Sequence, residues 1–186
     1  MVLAGTVSIA EKYAELCATP SDIFEHLPTF VDLVIEREAQ HVVELGTRTG
    51  VSTIAWLHGL NQTGGVLTSV DIDGQPPIGD HAHWTFMQGD DLSPQVYCHL
   101  RPADIVFIDT SHHYLQTVRE LNLYVHLVRR PGLIVLHDTE LPHPEGAPHG
   151  DPVFPVKTAV EEFCAENGYR WSNRPNCWGL GIIEVD

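Results

Sequence analysis

Residues 104–109 read Asp-Ile-Val-Phe-Ile-Asp, and this stretch decides the fold. A short, continuous apolar run that ends in an acid is typical of a parallel strand buried on both faces of a sheet. Apolar runs of similar length recur along the chain, with helix-like segments between them. This alternation predicts an α/β fold, in which helices cover a mostly parallel sheet. The other predicted strands are residues 41–45, 66–71, 84–88, 133–136, 169–172 and 179–185.

The segments between the strands carry helix signals. Ser8 and Glu11 form a capping box for a helix that ends near Ala18, and Pro28 suits the first turn of a helix that ends near Ala39. We expect one domain over residues 1–186, with a helical cap over 1–39, a core over 40–186 and a loop over 139–152. Further helices are predicted over residues 51–60, 115–128 and 156–167, with a short one starting near residue 92.

Composition excludes several classes of partner. The chain has 186 residues, 43% of them hydrophobic and 19% charged, with a formal net charge of −15. Such an excess of acid argues against nucleic acids and anionic membrane surfaces, and favours a small molecule or a metal cation. No apolar run approaches the ~20 residues of a membrane helix, and residues 1–12 do not have the pattern that we expect of a signal peptide. The four cysteines form no C-x-x-C pair, so we expect reduced, mostly buried thiols in a cytoplasmic protein.

The first strand is followed by a glycine turn, Glu44-Leu45-Gly46-Thr47-Arg48-Thr49-Gly50. Ligands of open α/β sheets bind outside the carboxyl ends of the strands. Gly46 and Gly50 lack a Cβ, so the backbone there can approach a ligand closely. The helix that starts near Val51 would direct its first amides at that ligand. The glycines lie four residues apart, unlike the G-x-G-x-x-G of dinucleotide-binding proteins, which argues against a nicotinamide enzyme.

Acids also follow the second and third strands. Asp71 lies 25 residues after Gly46 and suits the two hydroxyls of a ribose. Asp73 competes for this role, because alternate residues of a strand point the same way. The third strand ends in Gln88-Gly89-Asp90-Asp91. The last of these acids, Asp91, lies either beside the ligand or at the N-cap of the next helix.

Asp109 and Asp138 end two strands that we expect to be neighbours in the sheet. Their carboxylates would then face each other, and two close carboxylates repel unless a cation or a shared proton lies between them. Mg²⁺ is the simplest such cation, because it prefers oxygen ligands. His112 follows Asp109 by three residues and can take a proton from a substrate hydroxyl near neutral pH. His113 is the alternative base.

Three motifs together carry a family resemblance. They are Glu44-x-Gly46-x-x-x-Gly50, Ile108-Asp109-x-x-His112-x-Tyr114, and the run Pro-Gly-Leu-Ile-Val-Leu-His-Asp-Thr over 131–139. The chain resembles class I S-adenosylmethionine-dependent O-methyltransferases related to catechol O-methyltransferase. It is more similar still to the macrocin/mycinamicin sugar O-methyltransferase and cephalosporin-hydroxylase-like branch. The resemblance implies a Rossmann-like, seven-stranded, mostly parallel sheet with an antiparallel last strand and helices on both faces.

The resemblance also implies roles for individual residues. His112 would be the catalytic base, and Mg²⁺ or another divalent cation would lie between Asp109 and Asp138. Thr139 is the predicted third metal ligand, with His137 or a water as alternatives. S-adenosylmethionine would contact Glu44, Gly46, Thr47, Gly50, Ser52, Asp71, Asp73, Gly89, Asp90 and Asp109.

The predicted function is therefore metal-assisted O-methylation of a small-molecule hydroxyl on a sugar, a phenol or a natural product. Two alternatives stay open: a metal-independent methyltransferase that acts on another nucleophile, and a nonenzymatic binder of adenosyl ligands. The cap is short for this branch. The acceptor pocket would therefore need the first helices, the 139–152 loop or the second subunit of a homodimer.

Overall fold

The computed structural model describes residues 7–141 and 156–186. Seven strands form one sheet in the order β3-β2-β1-β4-β5-β7-β6, and β7 alone runs antiparallel to its neighbours β5 and β6. The predicted seven-stranded, mostly parallel sheet is confirmed. The strands are β1 (His41–Leu45), β2 (Val66–Asp71), β3 (Trp84–Gln88), β4 (Ala103–Ile108), β5 (Val128–His137), β6 (Arg170–Arg174) and β7 (Leu180–Val185).

The helices begin where the sequence places them but two end earlier. Ser8 caps the first helix as predicted: its Oγ accepts from the Glu11 amide, and the Glu11 carboxylate accepts from the Ser8 amide. The second helix ends at Glu36, and the fifth at Tyr124, because β5 already begins at residue 128. The helices are α1 (Ile9–Ala18), α2 (Leu27–Glu36), α3 (Val51–Thr63), α4 (Pro94–Tyr97), α5 (Tyr114–Tyr124) and α6 (Val156–Asn167), with a 3₁₀ turn over Phe24–His26.

The helices α2 and α3 pack together against the sheet. Trp56 of α3 is fully buried, its ring stacked 4.4 Å from that of Phe30 in α2 and 5.5 Å from that of Phe107 in β4. Large aromatic side chains dominate the hydrophobic stabilisation of such layers. The cap helix α2 therefore shares one apolar core with α3 and the central strands.

The central strands end together at one edge of the sheet. Leu45 pairs with Ile108 across β1 and β4, and Ile108 pairs with Leu136 across β4 and β5. The residues that follow these strands therefore meet at the same edge. The expectation that Asp109 and Asp138 end neighbouring strands is confirmed.

Three further predictions concern membrane helices, the cysteines and the loop over 139–152. None of the helices in the described ranges is long and apolar enough to cross a membrane. All four cysteines are free, but only Cys164 is buried and Cys98 is exposed, so the prediction of mostly buried thiols is wrong. The predicted loop over 139–152 falls outside the described residues from position 142 onward.

Candidate active site

A cavity of about 580 Å³ opens at the carboxyl ends of β1, β2, β3, β4 and β5. This volume lies within the range of small-molecule sites. Three predicted site residues, Glu44, Gly50 and Thr139, are outside its lining. The other predicted residues line it together: Gly46, Thr47, Ser52, Asp71, Asp73, Gly89, Asp90, Asp109, His112 and Asp138.

The two glycines of the turn after β1 are needed for different contacts. Gly46 has a φ of 85°, and a Cβ there would lie 1.9 Å from the Asp109 carbonyl oxygen. Glycine at position 46 therefore lets the turn pass directly against the end of β4. Gly50 has a φ of 86°, and its Cβ would lie 2.5 Å from a methyl group of Ile78. Gly50 thus packs against the loop between β2 and β3, where we had expected it to face a ligand.

Asp71 holds the glycine turn in place. Its Oδ2 accepts from the Thr47 amide at 2.7 Å, the Thr47 hydroxyl at 2.9 Å and the Arg48 amide at 3.0 Å, while Oδ1 accepts from the Asp73 amide at 2.9 Å. Burial alone would raise the pKa of Asp71, but these hydrogen bonds outweigh it and lower the pKa. Asp71 is therefore a fixed anion in the cavity wall.

Glu44 lies beneath the turn, not in the cavity. Its carboxyl group is fully buried and accepts from Ser52 Oγ at 2.7 Å, Thr53 Oγ1 at 2.9 Å and Ser69 Oγ at 2.6 Å. Burial raises the pKa of Glu44 to about 7, although the three hydroxyls oppose the shift. The Glu44 side chain thus joins β1, α3 and β2 inside the core, whereas the sequence predicted that it lies beside the cofactor.

The buried Glu44 predicts a pH-dependent stability. Between its ordinary pKa and about 7, the unfolded chain releases the proton while the folded chain keeps it. The stability that Glu44 contributes is therefore lost as pH rises through this window. Relative to Glu44→Gln, which cannot ionise, the wild type should lose about 3 kcal/mol of unfolding free energy from pH 4.5 to pH 8. Urea denaturation at each pH measures this difference.

The exposed Glu36, at the end of α2, provides the matched control for this experiment. Glu36→Gln should leave the pH slope of the wild type unchanged. Parallel slopes for the wild type and Glu44→Gln would contradict the raised pKa.

Two histidines and two aspartates meet at the end of β4 and β5. His112 Nε2 lies 2.8 Å from Asp138 Oδ2 and 3.4 Å from Asp109 Oδ1. His137 Nδ1 lies 3.0 Å from Asp138 Oδ2 and 3.7 Å from Asp109 Oδ1. The Thr139 hydroxyl instead donates to Asn173 Oδ1 at 2.7 Å. His137, one of the alternatives, therefore replaces Thr139 as the third member of this group.

Hydrogen bonding assigns the protons of His137. Its Nε2 lies 2.9 Å from the Cys177 carbonyl oxygen, which can only accept, so Nε2 carries a proton. In the neutral ring, Nδ1 then directs a lone pair at two carboxylates. Three acceptors converge, and only a proton or a metal cation between them removes the repulsion.

The contacts between these two histidines and two aspartates shift the pKa values of all four side chains. Hydrogen bonds to Asp109 and Asp138 raise the pKa of His112 to about 9, and burial opposes them. Burial lowers the pKa of His137, but the same two carboxylates outweigh it and raise that pKa to about 10. The paired histidines hold the pKa of both Asp109 and Asp138 below the usual range, against burial.

Most of the described non-glycine residues with a left-handed backbone conformation lie in the loops around this site. Six described residues other than glycine have a positive φ, and Glu38 is the one that lies elsewhere. Non-glycine residues in this region carry strain that commonly marks a functional site. The five at the site are Arg48 (46°), His112 (59°), Asp138 (62°), Cys177 (44°) and Trp178 (62°).

A second carboxyl pair adjoins the cavity. Asp91 is 7% exposed and Glu120 of α5 is fully buried, with one oxygen of each buried and without a donor among the described residues. Thr110 Oγ1 and Gln116 Nε2 donate to the other Glu120 oxygen, at 2.6 and 2.9 Å. Burial and the neighbouring Glu120 raise the pKa of Asp91 to about 7, and burial also raises the pKa of Glu120. Both carboxyl groups therefore favour their protonated forms more than an exposed acid does.

Asp91 is consequently not the helix N-cap that the sequence offered as an alternative. Ser93 precedes α4, and Asp90 Oδ1 accepts from the Leu92 amide at 2.9 Å. Asp90 thus shapes the turn after β3, while Asp91 turns inward toward α5. The partner of Asp91 lies 29 residues away, so no local signal could have indicated the pair.

The doubly wound sheet, the glycine turn held by an acid at the end of β2, and the Asp-x-x-His at the end of β4 define a class I methyltransferase fold. Residues 43–139, slightly more than half of the chain, match the family model described as a methyltransferase domain. The chain belongs to this family. Its members are S-adenosylmethionine-dependent methyltransferases, so the predicted class of enzyme is confirmed at the level of the family.

Similar proteins agree with this assignment. The chain is 27% identical over 119 residues to O-methyltransferase ankF of Aspergillus thermomutatus, covering 59% of this chain but only 49% of the relative. It thus spans about half the length of the curated relative it matches.

Solved structures share the fold. A putative O-methyltransferase from Klebsiella pneumoniae has a TM-score of 0.71 and 19% identity, covering 96% of this chain and 88% of that one. The MycE methyltransferase of the mycinamycin biosynthetic pathway, solved in complex with Mg and S-adenosylhomocysteine, has a TM-score of 0.70 and 17% identity. In that comparison 93% of this chain and 54% of the other are covered.

Proposed function

We propose that the protein is an S-adenosylmethionine-dependent O-methyltransferase that uses a divalent cation to methylate a hydroxyl of a small molecule. The observation that carries the proposal is the position of His112, 2.8 Å from Asp138 and 3.4 Å from Asp109, in the wall of the cavity that Gly46 and Asp71 also line. A base, a cation-binding pair and a ribose-binding acid thus share one cavity. The O-methyltransferase relative and the Mg-bound MycE structure support this interpretation.

The cofactor would occupy the side of the cavity formed by the ends of β1, β2 and β3. When bound, S-adenosylmethionine supplies a methyl group already activated by its sulfonium. Asp71 is the ionised acceptor for a ribose hydroxyl through Oδ1, because Oδ2 already accepts from Thr47 and Arg48. Gly46 and Thr47 supply the turn beside it. Gly89 and Asp90 line the wall beyond Asp71, where the adenine would lie.

The cation would be held by Asp109, His137 and Asp138, which each offer a ligand atom within 4.8 Å of the others. These residues fit a cation, since His137 is buried and directs its Nδ1, a ligand atom in the neutral ring, at both carboxylates. A bound divalent cation lowers the pKa of a coordinated hydroxyl and orients it. Imidazole suits first-row transition metals better than Mg²⁺, so Mn²⁺ is tested beside Mg²⁺.

His112 would take the proton of the acceptor hydroxyl. Its side chain is 39% exposed in the cavity wall, so a bound acceptor can reach it. The same two carboxylates that raise its pKa are the expected cation ligands. Once they are neutralised by a cation, the pKa of His112 falls, and the neutral form that accepts a proton is favoured.

Methyl transfer tests the proposal directly. We expect the purified chain, supplied with methyl-labelled S-adenosylmethionine and Mg²⁺ or Mn²⁺, to methylate a hydroxyl in a panel of catechols, caffeoyl esters and glycosides. EDTA should abolish the transfer, and Mn²⁺ or Mg²⁺ should restore it, because the carboxylates need a cation to hold the acceptor. Liquid chromatography with mass spectrometry of the methyl ether measures product.

Two outcomes would point to the alternatives. Transfer that persists unchanged in EDTA would establish a metal-independent methyltransferase. S-adenosylhomocysteine binding without transfer to any member of the panel would favour a nonenzymatic binder. A cytoplasmic location and a homodimer that completes the acceptor pocket remain predictions from the sequence.

A further inference from the structure

One ion pair spans the cavity mouth. Arg48 Nη1 of the glycine turn lies 2.8 Å from Oδ2 of Asp22, which belongs to the segment between α1 and the 3₁₀ turn. Both residues line the cavity, and their side chains are 81% and 42% exposed. An ion pair exposed to this degree contributes only about 0–1 kcal/mol, so a ligand can readily replace it.

The charge of the cavity gives Arg48 a distinct position. Seven aspartates line the cavity, and Arg48 is its single lysine or arginine among the described residues. Such a wall attracts the sulfonium and ammonium groups of S-adenosylmethionine but repels its carboxylate. The carboxylate of the methionyl end therefore needs a local cation, and Arg48 presents a guanidinium that suits a carboxylate geometrically.

The backbone of Arg48 is also fixed. Its φ is 46°, and its amide donates to Asp71 Oδ2 at 3.0 Å. A strained residue persists where the surroundings hold it, and here the anchor is the proposed ribose acid itself. From this fixed backbone position the Arg48 guanidinium reaches Asp22 at 2.8 Å.

We propose that Arg48 and Asp22 recognise the amino-acid end of the cofactor, an inference that rests on the proposed function. Arg48 binds the methionyl carboxylate and Asp22 binds the methionyl ammonium, each exchanging its present partner for a ligand group of the same charge. The exchange leaves no charge unpaired, and it ties the segment before α2 to the bound cofactor. The pair is therefore a specificity determinant for adenosyl ligands that carry an intact amino acid.

Calorimetric titration with three ligands tests this assignment. S-adenosylhomocysteine carries both charged groups, decarboxylated S-adenosylmethionine lacks the carboxylate, and 5′-methylthioadenosine lacks both. Arg48→Gln should raise the Kd for S-adenosylhomocysteine about tenfold or more, the scale of one charge-assisted hydrogen bond, and should leave the other two ligands within about twofold. Asp22→Asn should weaken S-adenosylhomocysteine and the decarboxylated ligand, but not 5′-methylthioadenosine.

Arg37→Gln is the matched control, since Arg37 pairs with Glu184 away from the cavity lining and its loss should change none of the three affinities. Equal losses for S-adenosylhomocysteine and 5′-methylthioadenosine in Arg48→Gln would overturn the proposal, because Arg48 would then act only on the shape of the turn. Unchanged affinity would overturn it as well, because the amides at the start of α3 would then hold the carboxylate. A wild type that binds none of the ligands would overturn the proposed function itself.

Discussion

Replacing His112 by alanine is expected to lower kcat about 10²- to 10⁴-fold, the usual contribution of a general base, while the Kd for S-adenosylhomocysteine stays within about threefold. The reason is its position: His112 Nε2 faces the proposed cation ligands Asp109 and Asp138, whereas the proposed ribose acid Asp71 bonds to the glycine turn. Steady-state kinetics with an acceptor from the methylation panel, together with calorimetry, separate the two effects. His112→Asn is measured beside it, because asparagine tolerates the left-handed backbone found at this position.

His113 provides the control that the sequence itself suggests. It is exposed, precedes α5 and lies outside the cavity lining, so His113→Ala should retain kcat within about twofold. A loss of turnover in His113→Ala as large as in His112→Ala would contradict the assignment of the base. Equal loss of cofactor affinity in His112→Ala and Asp71→Ala would contradict the division of roles between the two residues.

Replacing Asp71 by alanine is expected to raise the Kd for S-adenosylhomocysteine about 100-fold or more. Two contributions add: the lost hydrogen bond to a ribose hydroxyl, worth about 1.5–3 kcal/mol for a charged partner, and the release of the turn that Asp71 holds through Thr47 and Arg48. Calorimetric titration measures the change. The far-ultraviolet circular dichroism spectrum checks that the variant is folded.

Asp73→Ala resolves the competition between the two acids after β2. Asp73 also lines the cavity, and its backbone amide donates to Asp71 Oδ1 at 2.9 Å. Among the described residues, its side chain makes no hydrogen bond to the glycine turn. We expect Asp73→Ala to weaken binding less than tenfold. An effect of Asp73→Ala that exceeds that of Asp71→Ala would reverse the assignment.

Most strand positions and the acids that follow them could be predicted from the sequence with little error, but β5 begins at Val128, five residues before its predicted start. Buried parallel strands are short, apolar runs, and residues 41–45, 66–71 and 84–88 have the predicted bounds. Strand ends in such a fold carry the ligand site, so the approximate location of Asp71, Asp109 and His112 followed from position in the chain alone.

Contacts between side chains of different elements could not be predicted in the same way. Whether an acid at a strand end faces the cavity or the core depends on partners that pack from other elements. Glu44 turns inward because Ser52, Thr53 and Ser69 surround it. Thr139 turns away from the cavity because Asn173 of β6 accepts from its hydroxyl.

The sequence by itself determined the α/β class, the positions of most strands, the acids that follow them and the family, because strand patterning and motif spacing are local properties. Tertiary structure alone decided that His137 joins Asp109 and Asp138, through a hydrogen bond to the carbonyl of Cys177, 40 residues later. It also decided that Arg48 meets Asp22 across the cavity. Side-chain direction and charge pairing depend on which distant groups share a buried or confined space, and chain folding brings those groups together.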